Sequence, residues 1–363
     1  MQQKIIKKSL SSKILMAGNY YKHHHPGGIS AVVDYWSRYI EDLQYYPTFK
    51  ESNQIVKRGL FFVSYLRMCF RMLLDKNIKI VHLHTAADGS FWRKVQLMKL
   101  GKFWGRKVVL HVHASRFKDF YSESSKKKQE WIRRALLLVD VLVVLSNSWK
   151  DWFKQIGIPE DKIVVLHNIT AYPVDVPSVR VDDRKVHFLF MGEIGQRKGV
   201  FDILRAISKH RDELLGKIEF RIGGNRNEDQ LKRMIIENHL EDMVVFEGWV
   251  GGEKKLRLLN WADVFILPSF NEGLPISILE AMSYAHPIIS SPVGGIPEVV
   301  ENDVNGSLVT PGDDNEIYGA IQKYVQNRDL IAVEGGESKK KVQTYLPDYV
   351  MNRLKAIYET LLS

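Results

Sequence analysis

The sequence predicts an α/β fold of two doubly wound, Rossmann-like domains, each a parallel sheet covered by helices, facing each other across a cleft. Three observations carry this. Short apolar runs of strand length alternate with helical stretches along nearly the whole chain, the pattern of strand–helix units in a parallel sheet. At 363 residues the chain exceeds what one hydrophobic core comfortably organises. The alternation breaks once, at 171–185, where AYPVDVPSVRVDDRK has two prolines, alternating charge and no helical period, and reads as a linker.

In the first domain, 1–170, KILMAGN (13–19) is a short apolar strand. The turn-rich YYKHHHPGGIS follows, then a helix over about 29–43. Gly27 and Gly28 stand at that strand-to-helix turn, where free backbone N–H groups meet an anion. His23, His24 and His25 invite a metal, but consecutive positions do not converge as ligands and no Cys or carboxylate cluster accompanies them. They read instead as contacts for an anionic acceptor. After a basic amphipathic segment near 55–75 come the strands IKIVHLHT (78–85) and KVVLHVHAS (107–115), separated by a helix through Trp92 to Phe103. The first strand carries His82 and His84, and the second alternates so that His111 and His113 share one face. VDVLVVLS (139–146) and KIVVLHN (162–168) flank a helix near 149–155 and complete the series.

The second domain, 186–345, restarts with VHFLFMGEI (186–194), the loop GQRKG and a helix over about 200–210. Arg197 and Lys198 in that loop are placed to neutralise a leaving diphosphate. KIEFRIGGN, a helix at 228–238, VVFEGWV (244–250) and a helix at 253–260 lead to WADVFILPSFNEGLPISILEAMSYAHPIISSPVGGIPEVV (261–300). SLVTPGDD (307–314) ends the sheet, a helix follows at 315–328, and a last helix lies in the closing segment 346–363.

The 261–300 stretch organises the function. A buried strand breaks at Pro268 into a polar loop, and a helix starts at Pro275, which suits a first helical position because its missing N–H costs nothing there. Two carboxylates flank that start: Glu272 in the loop, and Glu280 inside the helix, roughly 7–8 Å past Pro275. The open helix end favours phosphate, and Gly273 allows close backbone approach. Carboxylates beside a diphosphate repel it, so both are better used to accept hydrogen bonds from hydroxyls on either side. Hydroxyls, then a diphosphate, then more hydroxyls describe a nucleotide-sugar.

Pro268, Ser269, Glu272, Gly273, Glu280 and Ala281, followed by Pro287 and the Gly294-Gly295-x-Pro297-Glu298 turn, resemble the donor site of family 4 retaining glycosyltransferases, with two Glu separated by seven residues. The resemblance implies a glycosyltransferase B-type fold and a last helix crossing back to the first domain. It implies transfer of a hexose-type sugar from a nucleoside-diphosphate sugar to an acceptor hydroxyl, with retention, in bacterial surface polysaccharide or glycolipid synthesis. Catalytic roles then fall to His113, Glu272 and Lys198. Donor binding falls to Gly27, Gly28, Arg197, Lys198, Glu272, Gly273, Leu274, Pro275 and Glu280, with Glu272 on the transferred sugar and Glu280 on the ribose. The chain departs from the pattern at Glu193, where relatives carry a basic residue, and at Asn168-Ile169, where they carry Asn-Gly. No Asp-x-Asp motif occurs in the sequence, so neither a metal nor a cofactor is expected, the nucleotide-sugar donor being a substrate. A nucleotide-sugar epimerase on the same fold and a non-catalytic nucleotide-sugar-binding protein are the alternatives.

Composition bounds the setting. Cys69 is the single cysteine, which excludes an internal disulfide, and residues 1–12 lack the apolar core of a secretory signal, so a cytoplasmic location is expected. Residues 1–180 hold 30 Lys and Arg against 14 Asp and Glu, whereas 181–363 hold 22 against 28. The basicity belongs to the first half. No nucleic-acid motif accompanies it. GLFFVSYL (59–66), beside Lys57, Arg58, Arg67 and Arg71, has the ingredients of an interfacial helix, so an anionic membrane surface at the inner face of the cell membrane is the expected partner, with a sugar or lipid-linked acceptor.

Overall fold

The computed structural model describes residues 3–22, 27–113, 115–176 and 185–363. The chain forms two compact units, Met1–Ile169 with Pro347–Ser363, and Thr170–Leu346. The helix Pro347–Leu362 thus belongs to the first unit although it follows the second in sequence. Residues 171–176, expected in the linker, belong to the second unit: the Val174 N–H donates to the Tyr284 hydroxyl at 3.0 Å, and Asn260 Nδ2 donates to the Val174 carbonyl at 3.0 Å. The rest of that linker through 184, and the histidine run His23–His25, lie outside the described residues.

The first unit holds a six-stranded parallel sheet of β1 (Ile14–Asn19), β2 (Tyr45–Phe49), β3 (Ile80–Thr85), β4 (Lys107–Val112), β5 (Val141–Val144) and β6 (Ile163–Val165), in spatial order 2-1-3-4-5-6. β3 is buried at every position, as a strand covered by helices on both faces must be. Strand β2 was not expected, because YYPTF carries Pro47 at its centre. It sits at the sheet edge, where a missing N–H disturbs one ladder only. Helices start where side chains replace missing backbone partners: Asn53 accepts from the Val56 N–H, and Ser146 from the Trp149 N–H.

The second unit repeats the plan with β7 (Val186–Met191), β8 (Ile218–Gly223), β9 (Val244–Gly248), β10 (Val264–Leu267), β11 (Ile288–Ser290) and β12 (Gly306–Leu308), all parallel, in order 12-11-10-7-8-9. The chain builds outward from β7 to β9, then returns to lay β10 against the other side of β7. That reversal is the switch point where doubly wound sheets bind ligands beyond the carboxyl ends of their strands. The loops leaving β7 and β10 carry Arg197-Lys198 and Glu272. The helix Asp329–Lys341 escapes the sequence reading because its central Gly335-Gly336 pair lowers helix propensity.

Candidate functional site

Two glycines join the loops at the second unit's switch point. Gly199 has φ of +74°, and a side-chain carbon there meets the Pro268 carbonyl oxygen at 2.2 Å, so only glycine lets the 195–199 turn close against the strand β10 exit. Gly294, at φ of +59°, is pressed in the same way on the Glu272 carbonyl, 2.0 Å from its would-be Cβ. Backbone bonds complete the seam: Phe270 N–H to the Arg197 carbonyl at 2.9 Å, and Gly295 N–H to the Gly273 carbonyl at 2.6 Å.

On this frame Lys198 Nζ bonds and ion-pairs with Glu272 Oε1, which also accepts from Ser269 Oγ at 2.9 Å. Glu272 is only 8% exposed, so desolvation of its carboxylate is offset by both partners. Arg197 donates to the Asn271 carbonyl at 3.2 Å and lies 3.9 Å from Glu272 Oε1, with Glu193 on its other side at 3.7 Å. Cations and carboxylates thus interleave at one loop junction. Lys198, Arg197 and Glu272 come together, with Gly273, Leu274 and Pro275 following in the same loop.

Pro275 is the residue before the helix Ile276–Ser283 rather than its first member: its ψ of 125° is extended and its carbonyl accepts the first helical bond. Glu280, buried in that helix, ion-pairs with Lys255 from the helix Gly252–Trp261. The sequence reading missed Lys255. In GEKKLRLLNW it looks like one cation of a solvated face, and only the packing of two helices reveals its carboxylate. Trp249, just after β9, is 49% exposed.

In the first unit Gly27, with φ of +121°, precedes the helix Gly28–Tyr39, and nothing approaches a would-be Cβ of Gly28 within 4 Å. His113 follows β4. Its N–H donates to the Thr85 carbonyl at 2.9 Å and its Nε2 lies 2.9 Å from His84 Nδ1. Register sets His84 of β3 opposite His111 of β4, and His82 lies two residues before His84, so four imidazoles meet on one sheet face under Trp36. Burial pushes His82 and His113 down to about 3 and holds His84 and His111 well below the ordinary imidazole value. Lys94, fully buried, donates to Thr48 Oγ1 at 2.7 Å, and burial followed by the neighbouring Arg93 lowers it to about 7.

Residues 27–170 match the family described as Glycosyltransferase Family 4, and residues 174–341 the one described as Glycosyl transferases group 1. The chain is 26% identical over 292 residues to the amylovoran biosynthesis glycosyltransferase AmsK of Erwinia amylovora, covering 77% of this chain and 69% of the relative. It is 24% identical over 337 residues to the UDP-Gal:alpha-D-GlcNAc-diphosphoundecaprenol alpha-1,3-galactosyltransferase of Escherichia coli, covering 86% and 82%. For an uncharacterized glycosyltransferase of Methanocaldococcus jannaschii the matched stretch spans only 59% of the relative's length. Among solved structures, Anabaena HepE in complex with UDP and glucose superposes with a TM-score of 0.73 at 16% identity, over 97% of this chain and 99% of that one. The chain thus carries two glycosyltransferase-like stretches in tandem, each on its own doubly wound sheet, and its fold is of the glycosyltransferase B type.

Proposed function

We propose that the chain transfers a hexose from a nucleoside-diphosphate sugar to an acceptor hydroxyl with retention at the anomeric carbon, in the assembly of a bacterial surface polysaccharide. The observation that carries this is the junction of Lys198, Arg197 and Glu272 beside the loop that opens the Glu280 helix. Lys198 and Arg197 take the diphosphate as its charge grows, without a metal. Glu272 accepts from hydroxyls of the transferred sugar and Glu280 from the ribose, and the resemblance to family 4 assigns His113 to the reacting sugar. The bond from the anomeric carbon to the diphosphate breaks, the bond to the acceptor oxygen forms on the same face, and the acceptor proton passes to the leaving diphosphate. Retention rests on the resemblance to family 4. The polysaccharide setting is supported by the names of AmsK and the E. coli galactosyltransferase, and the nucleotide by the UDP held by HepE.

The acceptor's setting is read from the helix Gln54–Leu74. Ser64, Met68 and Met72 are buried on one side of it, while Ile55, Phe62, Leu66, Phe70, Leu73 and Leu74 stay exposed, Phe62 at 60% and Leu74 at 78%. Arg58 and Arg67 are exposed on the same helix. Apolar side chains open to solvent beside cations suit the headgroup boundary of an anionic membrane. Among the described residues no helix is long and apolar enough to cross one. This reading places the enzyme peripherally at the inner membrane face with a lipid-linked acceptor. The test is nucleoside diphosphate release from a panel of nucleotide-sugars, with and without polyprenyl-diphosphate sugars. Release with one donor that rises when a lipid-linked acceptor is added supports the proposal; binding without release, or interconversion of the donor sugar alone, refutes it.

A further inference from the structure

The first unit contains a set of nitrogen donors that the transfer reaction does not use. One ring nitrogen from each of His82, His84 and His111 lies within 4.8 Å of the others, and all three side chains are fully buried. Two of their six ring nitrogens are engaged: His82 Nδ1 lies 2.6 Å from the Tyr358 hydroxyl, and His84 Nδ1 2.9 Å from His113 Nε2. The other four are not. His82 Nε2, His84 Nε2 and both ring nitrogens of His111 are buried without a hydrogen-bond partner. A buried polar atom left unpaired costs about 1–3 kcal/mol, and these three rings hold four of them.

An imidazole whose Nδ1–H donates to a neighbour carries its lone pair on Nε2, and this is how an outer partner orients a metal-binding histidine. With the ring proton of His82 and of His84 on Nδ1, Tyr358 and His113 stand in that relation to them. We propose that His82, His84 and His111 bind a single borderline divalent cation of the Zn2+ or Co2+ class, through Nε2 of the first two and one ring nitrogen of the third. Imidazole donors select such ions over Mg2+ or Ca2+, which take oxygen. Zinc–nitrogen bonds of about 2.0–2.1 Å require nitrogens roughly 3.3 Å apart, so each ring turns inward by on the order of 1 Å on binding. Three imidazoles leave a fourth position for water or hydroxide, and hydroxide offsets part of the ion's charge. The ion pins β3 to β4 and holds His84, and through it His113, in one orientation. None of its ligands is assigned to the diphosphate or the sugar, so the role proposed for this ion is structural.

The experiment uses the full chain carrying His23→Gln, His24→Gln and His25→Gln, which removes the sequence's other histidine cluster, with and without His111→Leu. After removal of metal with chelator, Co2+ is titrated and visible d–d absorption is followed, then Zn2+ is added in competition. The expected result is about one Co2+ per chain with the intense bands of a four-coordinate site, displaced by about one Zn2+ and lost in His111→Leu. Zinc-edge X-ray absorption on the first variant, expected to show about three imidazole neighbours, decides the matter if His111→Leu does not fold. No d–d bands, binding unchanged by His111→Leu, or an oxygen-only ligand shell overturns the proposal.

Discussion

Replacing Lys198 by Met keeps most of the side-chain volume and removes the charge, which separates two jobs that the wild-type residue performs. Without substrate, Lys198 partners Glu272, whose carboxylate is 8% exposed. Breaking a fully buried pair costs about 3–5 kcal/mol. Here Ser269 Oγ still donates at 2.9 Å and Arg197 stands 3.9 Å away, so a destabilisation of about 1–3 kcal/mol is expected. During transfer, Lys198 meets charge that develops on the diphosphate, a contribution of about 2.7–4 kcal/mol or 10²–10³-fold in kcat when one such donor is lost. Lys198→Met is therefore expected to lower kcat by about that factor with KM for the donor changed less than 10-fold. Adding Glu272→Gln neutralises the stranded carboxylate, so the double variant should recover thermal stability while its turnover stays low. Steady-state nucleoside diphosphate release and thermal melts on wild type, both single variants and the double variant complete the cycle. A Lys198→Met protein that keeps kcat within about threefold, or a double variant that regains turnover along with stability, refutes the reasoning.

Glu280→Ala should weaken nucleotide-sugar affinity about 10- to 100-fold in calorimetry while the chain stays folded, since hydrogen bonds to an ionised acceptor are worth about 1.5–3 kcal/mol; unchanged affinity removes the ribose assignment. Sugar transfer should continue through a brief exposure to excess chelator, and a full loss restored by Mg2+ or Mn2+ returns the diphosphate to a metal. Sedimentation with anionic vesicles should bring the chain down in a salt-sensitive way. Arg71 already pairs with Asp75 at 3.0 Å and Lys57 lies over Phe49, so Arg58→Gln with Arg67→Gln should produce most of the loss, about 30-fold at roughly 1 kcal/mol per cation. Equal partitioning to neutral vesicles refutes the membrane reading. Stability of the metal-free chain should fall with acidification, because His82, His84, His111 and His113 have folded-state pKa values below the unfolded value of about 6.5. Above that pH all four are neutral in both states. Below it the unfolded chain binds more protons, down to about 3 for His82 and His113, so each such histidine costs up to about 1.4 kcal/mol per pH unit. His111→Leu, where it folds, should flatten the slope in melts recorded from pH 7 to pH 4.

Sequence alone determined what local periodicity and chain-neighbour chemistry encode. Buried parallel strands such as IVHLHT and VFIL are apolar runs because both faces are covered, and the helices between them show their own period, so the class of fold is legible before any packing is known. The Glu272–Glu280 spacing is equally local, since one helix start fixes both positions. The tertiary structure decided strand order and everything that follows from it. Only the placement of β10 beside β7 brings Lys198 to Glu272 across 74 residues of chain, and only helix packing brings Lys255 to Glu280. Histidines at alternate strand positions show a shared face, but whether β3 and β4 are neighbours is a matter of register, and that neighbourhood makes four lone histidines one cluster. The helix Gln54–Leu74 is amphipathic and basic by sequence, which reads as an interfacial helix but does not say which apolar residues stay exposed. The sheet takes the Ser64, Met68 and Met72 side and leaves Phe62, Leu66 and Phe70 outside, because a helix with apolar residues on both sides can bury only the one its neighbours present a surface to.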